Sequence, residues 1–395
     1  RPAGVVEPSR RTVTPTADAL PSGRWAWADI DLDAIAHNVG VLRAAVAPSA
    51  VWAVVKADAY GHGAVSVART VLEAGAEGLC VALVQEAAEL RDALIDAPVL
   101  VLSEQPPATA ADAVRLGLIS TVYSVSQLDA LAAAGAHRHR VQLKVNTGMN
   151  RVGCAPGEAL ALAQEIERRD SVEFDGVFTH LAVADEPADP YSVQQLDLFD
   201  EVLGSIRAAG IDPGRVHAAN SAGALAHPRA RHDLVRAGIA LYGIQPGRGV
   251  EHLCHDLRPA LSLHACVSHV KRVRAGDRIS YGLRHAFTTD TNVATVPLGY
   301  ADGVPRRLFE THGHALVRGR RCPIVGVVTM DQLMLDVGDL DIEVGEPVVL
   351  LGADGTERIR AEDWAERLGT IGYEIVCGVS KRVSRHHRAE RRTVS

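Results

Sequence analysis

The sequence predicts an α/β chain: an N-terminal (β/α)8 TIM-like barrel followed by a C-terminal, mostly-β domain. Three observations carry that expectation. From Trp25 to about residue 258, apolar runs of strand length alternate with helix-length amphipathic segments, the order that builds a parallel sheet. Eight such runs occur, the number that closes a barrel, although a doubly wound open sheet alternates in the same way. After Pro259 the texture changes to strand-like runs separated by glycine and polar turns, as in an all-β region.

The expected barrel strands are Val51 to Val55, Gly78 to Ala82, Val99 to Leu102, Ile119 to Val122, Val141 to Val145, Phe174 to Thr179, Val216 to Ala219 and Leu234 to Val235. Between them, Ala64 to Ala76, Gln85 to Leu94, Ala110 to Leu116, Ser126 to Ala134, Gly157 to Arg168 and Val193 to Ala209 carry apolar residues three and four apart, which gathers them on one helix face. In the second domain the expected strands are Leu261 to Val273, Val293 to Leu298, Ala315 to Val317, Cys322 to Val328, Gln332 to Val337 and Pro347 to Leu351, with a short helix near Ala361 to Leu368. Residues 1–23, rich in Pro, Thr, Ser and Arg without periodicity, read as a disordered leader. The barrel is then expected over 24–258, the β domain over 259–385 and a basic, solvated tail over 386–395. The chain opens on Arg1 rather than Met, which leaves the native start open.

Composition narrows the partners. With 395 residues, 47% hydrophobic and 23% charged, and a net charge of −7, the chain has an ordinary soluble balance and no field for nucleic acid. Small molecules are the expected partners. No apolar run approaches the length of a membrane helix, and the first twenty residues lack a signal peptide's apolar centre. Six cysteines stand far apart without a CxxC, so neither a zinc ribbon nor a disulfide framework is indicated and a reducing, cytoplasmic compartment is expected. The histidine pairs (His137/His139, His312/His314, His386/His387) lack the spacing of a helical zinc site, and no metal is expected.

Chemistry is expected at the C-terminal ends of barrel strands. Lys56 stands where the run Val51 to Val55 stops and the turn Ala57-Asp58-Ala59-Tyr60-Gly61 begins. A lysine partly removed from water loses affinity for its proton and becomes a nucleophile toward carbonyl groups; a lysine that merely reaches into solvent is the plainer alternative. Other strand ends offer Lys144, His180, Asn220-Ser221 and Arg236-Ala237-Gly238-Ile239. Arg151, on a glycine-bearing loop seven residues after Lys144, suits a bidentate grip on a carboxylate, though a surface arginine has the same sequence appearance. Asn220-Ser221 and Gly238-Ile239 sit in turns that cradle phosphate in some proteins and simply connect elements in others. In the second domain Tyr281, Tyr300, Tyr373 and the pair Met330-Asp331 lie beside glycines or in turns, where loop packing is the bland reading.

With these motifs in this order, the chain from about Trp25 to Arg385 resembles the alanine racemases, pyridoxal 5'-phosphate (PLP) enzymes with such a barrel and a C-terminal β domain. The segment around Lys56 is the most specific part. The resemblance implies the following roles. Lys56 would hold PLP covalently and act as one catalytic base. Tyr281 would be the opposite base, supplied by the partner subunit of a homodimer whose active site is shared. Tyr60, Ser221, Gly238, Ile239 and Tyr373 would bind the phosphate, and Arg236 would face the pyridine nitrogen with support from His180 and Asn220. Arg151 and the Met330 backbone would receive the carboxylate of L-alanine or D-alanine, with Asp331 beside them. Lys144 would be the position often carbamylated in the family, which would turn a repulsive neighbour of Arg151 into an anion that orients it. For Tyr281 to act as a base its proton must be loosened, with Tyr300 and the His180–Arg236 pair as candidate contributors.

The chain departs from the family pattern at Asn146, where many relatives have Asp, at Val328-Thr329, where Cys is frequent, and at Leu181-Ala182-Val183 beside His180. These leave substrate breadth open. A broader amino-acid racemase, a non-catalytic PLP-binding protein and a related-barrel decarboxylase are the competing expectations.

Overall fold

Runs of Val, Leu and Ile without polar interruption form strands that are buried on both faces, as the strands of a helix-covered parallel sheet must be. The computed structural model describes residues 23–389. Nearly all of the expected leader and residues 390–395 of the expected tail lie outside the described residues.

The first strand, β1 (Ala26–Asp31), is followed by helix Leu32–Val46. Then come β2 (Ala50–Val54), β3 (Gly78–Val81), β4 (Val99–Val101), β5 (Ile119–Val122), β6 (His139–Lys144), β7 (Val172–Phe178), β8 (Arg215–His217) and β9 (Leu234–Ala237). Strands β2 to β9 form one eight-stranded parallel sheet in chain order, with β9 returning to pair with β2. Backbone bonds from Asp233 N to Val216 O (3.1 Å) and from Arg236 N to Ala219 O (3.0 Å) draw the remaining edges together. The result is the nearly closed (β/α)8 barrel that the sequence predicts.

The eight strands fall where expected, to within a few residues at their ends. Two features of this unit were not anticipated. Helix Leu32–Val46 buries Ile35, Val39, Leu42 and Val46, and the Asp31 carboxylate caps it by accepting from Ala34 N at 2.8 Å. Ser221–Ala226, read from sequence as a turn, is a short helix capped by Asn220.

The mostly-β part contains a seven-stranded sheet, a three-stranded sheet and a two-stranded ribbon. The single run expected over Leu261 to Val273 divides into Leu261–Cys266 and His269–Val273, which belong to different sheets. The chain also divides less simply than 24–258 and 259–385. Among the described residues, one compact unit joins those from Gly23 to Asp29 to Leu261–Thr370 and Gly378–His386; the other joins Ile30–Ala260 to Ile371–Cys377 and the residues from His387 to Ala389. Strand β1 therefore pairs in the seven-stranded sheet, beside Leu261–Cys266 and Ser384–Arg388, not in the barrel. The same finding corrects the solvated basic tail: its first residues, 386 to 388, complete a strand.

All six cysteines are free. Among the described residues, no helix is long and apolar enough to cross a membrane.

Candidate active site

Parallel register sets the site. Lys144 pairs with Phe178, and Phe178 with His217, so three adjacent strands present these residues in one row near the C-terminal end of the barrel. Arg236 on β9 stands level with Trp52 of β2. Above this row opens a cavity of about 420 Å³ that takes in Lys56, Tyr60, Lys144, Arg151, His180, Asn220, Ser221, Arg236, Gly238, Ile239 and Tyr373. Every barrel residue singled out in the sequence is thus brought to one place. Tyr373 joins them because the segment Ile371–Cys377 belongs to the barrel unit.

Lys56 follows β2 and opens a turn, Lys56–Gly61, whose residues Ala57, Asp58, Ala59 and Tyr60 all have φ between 53 and 55°. Left-handed helical backbone costs about 1–2 kcal/mol per non-glycine residue, and four in succession must be held from outside. The holding contacts are visible. Glu86 accepts from Ala57 N at 2.7 Å and also from Ala82 N at 2.8 Å, and Asp58 accepts from Ala64 N at 2.7 Å. Gly61, itself at φ 81°, admits the backbone of the returning segment: a Cβ there would lie 2.6 Å from Val376 O. Burial first, and then the Arg151 guanidinium, draw the Lys56 ammonium below the ordinary lysine value. The amine is therefore neutral more often near pH 7 than a free lysine.

The floor is cationic and buried. Arg236, 3% exposed, gives hydrogen bonds to Thr179 O (2.9 Å), Ala218 O (3.0 Å), His180 Nδ1 (3.2 Å) and His217 Nδ1 (2.5 Å). Burial lowers its guanidinium to about 10, which leaves it charged at neutral pH. Burial, followed by Arg236, holds both histidines well below their ordinary range, so they are neutral acceptors toward the arginine. The Phe178 ring lies 5.2 Å from both the Arg236 guanidinium and Lys144 Nζ. Lys144 also donates to Leu102 O at 2.9 Å. Burial above all, then Arg236, Arg151 and Lys56, pull its ammonium down to about 7.

At the other end, Ser221 Oγ accepts from Gly238 N at 2.8 Å and Asn220 accepts from Gly223 N at 2.9 Å. The Tyr60 and Tyr373 rings stand 6.1 Å apart, and burial pushes both phenols up, which keeps them neutral. A Cβ on Gly238 would approach Tyr60 Oη to 2.6 Å; only glycine leaves this recess open. The Arg151 loop is organised by Asn146, whose Oδ1 accepts from Asn150 N (2.9 Å) and Gly148 N (3.2 Å).

The other expected residues belong to the β unit. Tyr281 is 73% exposed, on a turn whose flanking Ser280 and Gly282 have φ of 63° and 72°. Tyr300 and Met330 are likewise exposed. Their loops are stitched together by Tyr300 N to Thr329 O (3.0 Å) and Ala301 N to Met330 O (3.0 Å), and Asp331 pairs with Arg382 at 2.7 Å. Sequence reasoning missed Glu86, Phe178, His217 and Gln142. Gln142 and His217 lie within the expected strands Val141 to Val145 and Val216 to Ala219, but only the register brings them beside the site.

The donor set fits PLP: an amine with a loosened proton, a buried cation on the cavity floor, and a recess of hydroxyls and backbone at the opposite end. A (β/α)8 barrel with such a pocket, in a chain that also carries a mostly-β unit, defines a lysine-based barrel enzyme. Residues 30–246 match the model of the alanine racemase N-terminal domain, and residues 260–387 that of the alanine racemase C-terminal domain. The chain belongs to the alanine racemase family, a family of PLP-dependent isomerases, and its reaction is the interconversion of L-alanine and D-alanine.

Alanine racemases of Symbiobacterium thermophilum and Thermobifida fusca are 46% and 42% identical to it, over 93% and 91% of this chain and 98% and 97% of theirs. A crystal structure of alanine racemase from Bacillus anthracis with bound L-Ala-P superimposes with a TM-score of 0.89 at 39% identity, covering 94% of this chain and 97% of that one. Alanine racemase from D-cycloserine-producing Streptomyces lavendulae gives 0.88 at 39% identity, covering 93% and 98%. The C-terminal match sets aside the barrel-only, non-catalytic PLP-binding protein as an account of this chain.

Proposed function

We propose that this chain racemises alanine by a two-base mechanism, with Lys56 as the base on one face of the substrate and Tyr281 of the partner subunit on the other. The observation that carries the reading is the assembly of every expected barrel residue around Lys56 in one cavity. PLP, held covalently by Lys56, supplies an electron sink for negative charge developing at the substrate Cα. Racemisation removes the Cα proton from one face and returns a proton to the other, which calls for two groups on opposite sides. Tyr281, exposed on its turn, is suited to serve a neighbouring chain.

Arg236, buried and charged, would donate to the pyridine nitrogen and disfavour a proton there; His180 and Asn220 would support it. Tyr60, Ser221, Gly238, Ile239 and Tyr373 would receive the phosphate. Arg151 and the Met330 backbone would receive the substrate carboxylate, with Asp331 and Tyr300 shaping that side. The product D-alanine would feed peptidoglycan synthesis in the cytoplasm. The decisive test incubates the PLP-loaded protein with L-alanine in deuterated water and measures chirality and Cα deuterium together. Retained chirality with no deuterium would sink the proposal.

Gly238→Ala is expected to weaken PLP binding by about tenfold or more, because the added methyl meets Tyr60 Oη and displaces a hydrogen-bonding group from the recess. Spectroscopic titration with PLP reads this directly; unchanged affinity would remove the recess from the phosphate site.

Lys144 is proposed to carry a carbamate. Its neutral amine adds to CO2 with loss of a proton, and the resulting anion faces Arg151. Since its ammonium is lowered to about 7, the reactive neutral form grows as pH rises through that value. Removing CO2 is expected to reduce turnover about tenfold by leaving Arg151 without its charged partner. Restoring labelled 13CO2 should bring back activity together with a carbamate 13C resonance, and Lys144→Ala should abolish both responses.

A further inference from the structure

Arg236 is a buried cation whose hydrogen-bond partners are two carbonyls and two histidines, with no carboxylate among them. The nearest carboxylate in its network is reached through two neutral side chains. His217 Nε2 lies 2.9 Å from Gln142 Oε1, Gln142 Nε2 donates to Asp175 Oδ2 at 2.8 Å, and Asp175 Oδ1 accepts from Arg215 at 2.7 Å. Both His217 and Gln142 are 0% exposed. The line runs down the barrel interior from the cavity floor toward the opposite end.

The backbone is shaped for this line. Strands β6 and β7 pair Val141 with Phe174 and then Gln142 with Gly176, so their register slips at Asp175. Such a bulge re-aims the side chain of the extra residue. Gly176 then leaves room for the amide to pass: a Cβ there would stand 3.2 Å from Gln142 Cδ and Nε2 and 2.5 Å from Arg215 O.

Each bond in the line has one permitted direction. A carboxylate only accepts, so Gln142 must turn its NH2 toward Asp175 and its oxygen toward His217. His217 must then carry its proton on Nε2, which leaves Nδ1 as an acceptor for Arg236. Flipping the amide would set oxygen against carboxylate and NH2 against N–H. The other tautomer of His217 would set N–H against the guanidinium.

We propose that Asp175 and Gln142 are positioning residues for the reaction: through His217 they fix the orientation of Arg236 from the far side of the barrel. This rests on the reading that Arg236 faces the cofactor's pyridine nitrogen. An arginine that drifts from that nitrogen lets it take up a proton. Electron density would then be drawn further into the ring, and a side reaction would gain: alanine's amino group stays on the cofactor, which is reduced by two electrons to its amine form, alanine's carbon skeleton is oxidised by two electrons to pyruvate with water supplying the keto oxygen, and the Lys56 amine is set free.

The test uses Asp175→Asn, near in shape and lacking the charge, and Gln142→Met, which fills the space without an amide. Thermal melts establish that each is folded. The first readout is the 15N NMR tautomer of His217, assigned by loss of its signals in His217→Asn. The second is pyruvate formed per racemisation event in the PLP-loaded enzyme. The wild type should hold the Nε2–H tautomer from pH 5 to 9, whereas both variants should show mixed tautomers. In both, the pyruvate ratio should rise about tenfold, the effect of losing one hydrogen bond to a charged group, with KM for alanine within about twofold. If Arg236→Lys raises the ratio while the folded relay variants keep both tautomer and ratio, the proposal is wrong. If Arg236→Lys leaves the ratio unchanged, the reading of Arg236 has failed instead, and the tautomer alone decides whether the relay exists.

Discussion

Lys56→Ala is expected to abolish racemisation, with turnover falling by more than about 10³-fold, since one substitution removes the amine proposed both as a proton-transfer group and as the anchor of PLP. Free PLP would still find the recess around Ser221 and Tyr373, so the variant should bind the cofactor but release it on dialysis. Borohydride treatment of the wild type followed by peptide mass spectrometry should find PLP on the peptide containing Lys56, and on none in the variant. Racemisation at the wild-type rate by Lys56→Ala would remove the central role assigned here. In the wild type, covalent loading should slow as pH falls. Burial and Arg151 lower the Lys56 ammonium but do not remove its titration, and only the neutral amine attacks the aldehyde.

Tyr281→Phe should separate the two faces. The ring and its packing remain, and one of the two proposed proton-transfer groups is lost. Racemisation should fall by about 10²–10⁴-fold, the usual contribution of a positioned acid or base. Cα deuterium exchange without inversion should survive for one enantiomer of alanine and disappear for the other. Equal exchange from both enantiomers would mean that Lys56 reaches both faces or that another group replaces Tyr281. Mixing Lys56→Ala with Tyr281→Phe supplies a further arm. If the active site is shared between subunits, a mixed dimer contains one site with both bases and one with neither, and activity should return toward half that of the wild type.

The barrel was legible because a strand buried on both faces must be apolar along its length, as in Leu79-Cys80-Val81 and Val99-Leu100-Val101, and such runs can be seen without knowing their neighbours. Helix Leu32–Val46 is legible too, through the Asp31 cap and the spacing of Ile35, Val39, Leu42 and Val46. Strand β1 was different. Its membership of the seven-stranded sheet depends on pairing with residues far along the chain, and nothing local distinguishes it from a barrel strand. The division of Leu261 to Val273 has a similar cause, since the chain changes sheets inside one continuous strand-like run.

Within the site, the residues that meet the cavity could be named from strand ends and from the family resemblance. The residues beneath them could not. Gln142, His217 and Asp175 acquire meaning only from the register that places them side by side. The left-handed turn after Lys56 was equally hidden. Ala57-Asp58-Ala59-Tyr60 contains no glycine to announce positive φ, and its conformation is imposed by Glu86, Asp58 and the packing around Gly61.

The return of Ile371–Cys377 to the barrel unit has a consequence for how the enzyme comes into being. A ribosome that has released residues 30–260 has made every strand of the barrel but has not yet made Tyr373, so the cavity it lines is unfinished at that moment. Nearly the whole β unit must be synthesised before the last wall arrives. On the proposed roles, capture of PLP in its final pocket would be tied to synthesis through residue 377, and a truncated product that ends before residue 371 would carry Lys56 without the finished recess.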